Sequence, residues 1–166
     1  MITQPLPSAG PPLDWPQYGI GFVPAIKRAF RKYATFSGRA GRGEYWWWIL
    51  FTTLTWFGLA IVALVLGTIT SPDGGDTPGW AGIPFLILLI GFGLAAIVPS
   101  IAVTLRRLHD AGFSGWLYLL ILIPTIGGLI VSVLCLLPTS PLAERYGPPP
   151  TLGHQPPAGY PPPPER

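Results

Sequence analysis

Three long uncharged stretches constrain what this chain can fold into. Glu44 and Asp73 bracket the first, Asp76 and Arg106 the second, Asp110 and Glu144 the third. Each exceeds the roughly 20 apolar residues that cross ~30 Å of hydrocarbon as a helix. A soluble domain carries about 25% charged residues, whereas this chain carries 10%, with 49% hydrophobic residues. The expected fold class is therefore an all-α membrane protein. Its three transmembrane helices are predicted at 45–69, 82–105 and 116–137, inside one membrane domain at 23–139.

The flanks are of another kind. Residues 1–22, with Pro5, Pro7, Pro11, Pro12 and Pro16, hold too little apolar surface to offset the entropy of ordering, and read as a disordered arm. Met1–Tyr18 has neither the basic nor the apolar region of a cleavable signal peptide, so the first apolar run is expected to act as an uncleaved anchor. Residues 140–166 form a Pro-rich tail ending in Tyr160-Pro161-Pro162-Pro163-Pro164. Polyproline II is its natural conformation, as a solvated linker or as a ligand for a protein partner with an aromatic groove.

A short amphipathic helix is predicted at Pro24–Tyr33. Ile26, Phe30 and Tyr33 recur on one face, with Lys27, Arg28, Arg31 and Lys32 on the other side. That pattern suits a helix in the headgroup plane, or one docked on a partner. Trp46, Trp47 and Trp48 open the first span and Trp116 the third, as interfacial anchors. Pro99 predicts a kink in the second span, and Gly91 and Gly93 give flat places for another helix of this chain or of a second copy. Pro124 and Gly127-Gly128 interrupt the third run, which reads as a kinked span or a re-entrant hairpin. Its length favours the span.

Basic residues set the orientation. Lys27, Arg28, Arg31, Lys32, Arg39 and Arg42 precede the first span, Arg106 and Arg107 lie between the second and third, and the turn at 71–79 has none. The expectation is a cytoplasmic N-terminus and, with three full spans, a C-terminus outside. The net charge of +3 sits beside apolar runs, which points to anionic lipid headgroups and away from nucleic acid.

Chemistry concentrates in Arg106-Arg107-Leu108-His109-Asp110. If the second helix continues through it, Arg106 and Asp110 share a face, Arg107 points elsewhere, and Glu44 comes within reach of either arginine. The candidate cluster is Arg39, Arg42, Glu44, Arg106, Arg107, His109 and Asp110, walled by Trp46 and Trp116. Read structurally, the arginines set topology and the carboxylates neutralise them. Read as a site, paired arginines take a phosphate or carboxylate. A third reading makes His109 a general base oriented by Asp110, with Ser114 nearby; helical neighbours do not face one another, and no catalytic residue is assigned. The apolar runs carry no ionisable group, against a monomeric proton-coupled carrier; a pore built by a homo-oligomer stays open. Cys135 is the lone cysteine, expected as a core residue. No metal site or cofactor is expected.

Several segments carry a resemblance. Phe36-Ser37-Gly38-Arg39-Ala40-Gly41-Arg42-Gly43-Glu44-Tyr45-Trp46 resembles the FxGRxxRxEYW segment of the "domain of unknown function 805" family of small bacterial inner-membrane proteins. Arg106 to Asp110 with Ser114-Gly115-Trp116 resembles its RRLHDxxxSGW signature, and Pro124 to Gly127 its P-x-x-G element. Arg145-Tyr146-Gly147 resembles its closing N-R-[FY]-G, with Glu144 in place of the asparagine. The likeness covers residues 27–150. It implies a small multi-span membrane protein and no established reaction.

Overall fold

The computed structural model describes residues 19–71 and 79–147. Among them every regular element is helical. The expectations for residues 1–18 of the N-terminal arm and for the Pro-rich tail beyond 147 fall outside the described residues; the last residues of the expected disordered arm are ordered, since Ile20 is buried, its carbonyl accepts from Trp47, and Phe22 opens the first helix.

Two helices dominate. Helix α2 spans Arg42–Ile69 and α3 spans Ile83–Asp110, each 28 residues. Both are long and apolar enough to cross a membrane. A 3-10 turn at Trp80–Gly82 leads into α3, and Pro84 sits in its first turn, where a missing N–H costs nothing. The helix runs through Pro99 to Asp110, so the charged pentapeptide is its last turns. Proline at 99 leaves the Ala95 carbonyl without its intrahelical donor. The Tyr33 hydroxyl donates to that carbonyl at 2.6 Å. Trp48 Nε1 bonds Ser100 Oγ at 3.0 Å, fastening α2 to the same turn. Gly93 receives Trp56: a Cβ there would lie 2.8 Å from the indole, so this small residue serves a contact within the chain.

Helix α1, Phe22–Arg31, docks on this pair. Its buried stripe is Ala25, Arg28 and Ala29, followed by Lys32. Arg28 and Lys32, expected on the outer polar side, face inward. Small alanines let the backbone approach closely, and the two long cations fill the space beside them. Phe30 meets Trp48 edge-on at 5.3 Å, so the apolar side of α1 lies against α2 as well as outward.

The third apolar run departs from the expected span. It forms a 3-10 segment at Gly115–Leu122, a break, and helix α4 at Gly127–Leu136. Pro124 lacks the donor a continuous helix needs there, and Thr125 takes a φ of 68°, which turns the chain back. The limbs touch so closely that a Cβ at Gly127 would lie 1.9 Å from the Leu120 carbonyl oxygen. The tip bonds its own backbone: Ile123 N to Leu120 O at 2.9 Å, Gly127 N to Ile123 O at 3.0 Å. Irregular backbone inside hydrocarbon requires such internal pairing. Both ends of the hairpin return to the end of α3. Arg107 Nε donates to Cys135 O at 2.9 Å, and Ser140 N to Asp110 O at 3.0 Å. Ten residues of helix reach about 15 Å, half of ~30 Å of hydrocarbon. Two long helices and a returning hairpin therefore replace three continuous spans. The chain then makes a 3-10 turn at Pro141–Tyr146, and Arg39 Nη1 holds the Gly147 carbonyl at 3.4 Å. Residue 147 thus sits at the end where α2 begins, where the expected third span would have carried it to the opposite end.

Candidate functional site

The ionisable side chains of that end close on one another. Glu44 stands in the first turn of α2, where a carboxylate suits the helix dipole. Arg106 Nη1 donates to Glu44 Oε1 at 2.7 Å. Arg28 Nε, from α1, lies 3.2 Å from Glu44 Oε2, a charge contact without hydrogen-bond alignment. Asp110 forms the second centre. Arg39 reaches its Oδ1 through Nε and Nη2, both at 3.0 Å. Arg107 Nη1 and the Thr139 hydroxyl, the latter at 2.8 Å, both donate to Oδ2. Each carboxylate is held between two arginines that come from different elements.

The six charged side chains are 0–5% exposed. Burying ions costs several kcal/mol each and is recovered only with good geometry and further hydrogen bonds. Backbone carbonyls supply those bonds. Ala102 O accepts from Arg106 Nε at 3.2 Å. Cys135 O and Leu137 O accept from Arg107, which thereby caps the carbonyl end of α4. Among the described residues four guanidinium groups, Arg28, Arg39, Arg106 and Arg107, converge on the two carboxylates Glu44 and Asp110. The backbone joins the same knot, with Ala40 N donating to Arg106 O at 3.0 Å.

Of the residues singled out in the sequence, Arg39, Glu44, Arg106, Arg107 and Asp110 come together here. The pairing differs from the helical-face expectation. Asp110 takes Arg107, three residues back, while Arg106 turns to Glu44. Arg42 is exposed and outside the network. His109 is also outside it. Its ring stacks on Tyr146, with centroids 4.2 Å apart and planes 9° apart, and its Nδ1 lies 3.2 Å from the Gly38 carbonyl. With both Asp110 oxygens taken by arginines and Thr139, His109 and Asp110 form no catalytic dyad. Among the described residues, no three of His, Cys, Asp and Glu converge as metal ligands would.

Arg28 and Thr139 were not singled out. Arg28 reads like any other cation on a basic face, and nothing in its spacing marks it for burial. Thr139 follows Pro138 at the last position of the expected membrane domain, beyond the third apolar span, where nothing marks it. Of the tryptophans, Trp46 and Trp116 are 38% and 79% exposed, while Trp48 is fully buried in the core. Trp47 is half-buried and donates from Nε1 to Ile20 O at 2.9 Å.

Comparison with known proteins places these residues in a wider set. The family model described as "Protein of unknown function (DUF805)" matches residues 33–148, a stretch that contains Arg39, Glu44, Arg106, Arg107 and Asp110. "Inner membrane protein YhaH" of Escherichia coli (strain K12) is 38% identical over 125 residues, covering 75% of this chain and 94% of that protein. "Inner membrane protein YhaI" of the same organism is 32% identical over 123 residues, covering 74% and 92%. No solved structure matches.

Proposed function

The chain belongs to the DUF805 family, and from that premise we propose that it is a non-enzymatic protein of the bacterial inner membrane, whose buried ion network builds its cytoplasmic face. It is an integral membrane protein, as its two long apolar helices and its inner-membrane relatives support. The network clamps α1, the 35–42 turn, α2, α3 and the hairpin into one rigid collar. The exposed cations Lys27, Arg31, Arg42 and Arg145 then face anionic headgroups.

One observation carries this reading. Glu44 and Asp110 are each sandwiched between arginines of separate elements, with all six side chains withdrawn from solvent. Groups so occupied hold elements together and leave no vacancy for a reacting substrate. The basic residues gather at this end, which supports a cytoplasmic orientation for it under the positive-inside rule. With the third run turning back, the N-terminal arm and the Pro-rich tail share that side, where a partner for the tail would also be found.

Paired reporter fusions after Arg166 test the topology. A cytoplasm-active reporter should work and a periplasm-active one should not; the reverse result overturns it. Arg42→Gln tests the lipid face. In mixed vesicles it should lower the enrichment of phosphatidylglycerol beside the reconstituted protein by up to about fivefold, the share of one surface arginine, with no loss of folded protein.

A second reading, an anion or headgroup site coupled to transport or to a membrane enzyme, rests on the convergence of four arginines, Arg28, Arg39, Arg106 and Arg107, at one end of the helix pair. Inorganic phosphate at millimolar concentration should then raise the melting temperature, and sulfate should compete with it. No change in melting temperature removes that reading.

A further inference from the structure

A cleft of about 470 Å³ opens beside the ion network, between the last turns of α3, the first limb of the hairpin and the 3-10 turn at Pro141–Tyr146. We infer that it seats one anionic phospholipid of the adjacent leaflet. The acyl chain lies along Leu105 and Leu119, the glycerol region meets His109 and Ser114, and the phosphate meets Arg145.

The walls change character in the order a phospholipid does. Leu105, Leu119 and Trp116 form the apolar part; His109, Ser114 and Tyr146 form the polar part, and among the described residues none that lines it is acidic. Its volume falls within the ~300–1,000 Å³ of sites that hold small molecules. Depth in the membrane is set by Trp116, which is 79% exposed where the hairpin leaves the charged end. Such an indole settles at headgroup level. Leu119, one turn deeper, is 51% exposed, so the cleft opens sideways to hydrocarbon. What abuts a lateral opening at that depth is lipid.

His109 is the member of the charged pentapeptide that turns toward this cleft. The Gly38 carbonyl can only accept, which assigns a proton to Nδ1 and leaves Nε2 for a ligand. Gly115 keeps that nitrogen reachable: a Cβ there would lie 3.0 Å from Nε2 and 3.1 Å from Leu105 Cδ2. Charge selects the headgroup. Arg145 is exposed, and two contacts hold it beside Tyr146, which lines the cleft. Its Nη2 donates to Gly112 O at 3.0 Å, and its guanidinium lies 4.7 Å from the centroid of the Tyr146 ring on which His109 stacks. A positioned cation above hydrogen-bonding groups and apolar walls fits a phosphodiester with an acyl chain. The seat is separate from the ion network and does not depend on the role given to that network.

The test is native mass spectrometry of the full chain in detergent. The probes are phosphatidylglycerol and phosphatidylcholine with identical acyl chains, and glycerol phosphate. The wild type should retain phosphatidylglycerol about fivefold over phosphatidylcholine, the effect of one arginine on an anionic lipid. Arg145→Gln should abolish the preference, and Leu119→Trp, a substitution at an exposed wall position, should reduce retention of both lipids. Equal retention by the wild type, a preference unchanged in Arg145→Gln, or retention unchanged in Leu119→Trp overturns the seat. Glycerol phosphate retained by wild type and Leu119→Trp alike overturns it in favour of a soluble-anion site. A photoreactive acyl chain on phosphatidylglycerol gives a readout in the wild type that no folding defect can obscure. Cross-links at Leu105, Trp116 or Leu119 support the seat, and cross-links confined to α1 or α2 overturn it.

Discussion

The two ends of the α2–α3 pair are closed by opposite chemistry. At one end, Glu44 and Asp110 draw in Arg28, Arg39, Arg106 and Arg107. At the other, glycines press backbone on backbone: Gly79 N donates to Gly67 O at 2.8 Å, and a Cβ on Gly82 would lie 2.5 Å from Ala63 O. Long guanidinium side chains span the distance between elements, so the ionic end gathers α1, the 35–42 turn, α2, α3 and the hairpin. A glycine contact joins only surfaces that already touch, so among the described residues the other end ties the start of α3 to α2. Between apolar helices in lipid there is no hydrophobic drive to associate, and close packing of small residues takes its place.

The largest effect should come from the ionic end. Asp110→Asn keeps the shape but leaves Arg39 and Arg107 buried without their charge partner. Breaking a buried ion pair from one side costs about 3–5 kcal/mol. The expected result is a melting temperature in detergent far below wild type and little folded protein in the membrane; near-wild-type stability would show that the carbonyls alone suffice. The glycine end should answer more mildly. Gly82→Val pushes a side chain into the Ala63 backbone, an overpacking that costs about 1–3 kcal/mol.

Midway between the ends, Tyr33 and Pro99 offer a sharper test. Tyr33→Phe removes the donor to Ala95 and should cost about 1 kcal/mol. In a Pro99→Ala background the restored N–H serves that carbonyl, and the same change should cost close to nothing. A double-mutant cycle by denaturation reads the coupling; additive effects would mean that Tyr33 acts only by packing. The smallest effect is expected at Arg42. It lies at the ionic end but outside the network, and Arg42→Gln should change stability by no more than about 0.5 kcal/mol.

How far these features were legible depends on range. The segregation of charge from apolar runs marks α2 and α3 outright, because a helix pairs its own backbone and needs no neighbour to cross hydrocarbon. Arg106, Arg107 and Asp110 stand out for the same reason, as charges at the margin of an apolar run. Glu44 and Arg39 stand out with them, but which charge meets which does not. Helical spacing puts Arg106 over Asp110, and that local preference of ~0.2–0.5 kcal/mol gives way to a buried contact with Glu44, 62 residues away. Arg28 carries no local mark at all, since its burial follows from α1 docking beside Ala25 and Ala29.

What the amino-acid order determined by itself is therefore the class and the materials: an all-helical membrane chain, its two long helices, its charged margin and its DUF805 signatures. The tertiary structure decided the third apolar run and the wiring of the charges. Hydrophobic length is the same for a span and for a hairpin. Tertiary contacts, such as those of Arg107 with Cys135 and Leu137 and the Ser140 bond to Asp110, show the run returning. Those contacts form between groups distant in sequence, so their energies appear only once the elements have been brought together.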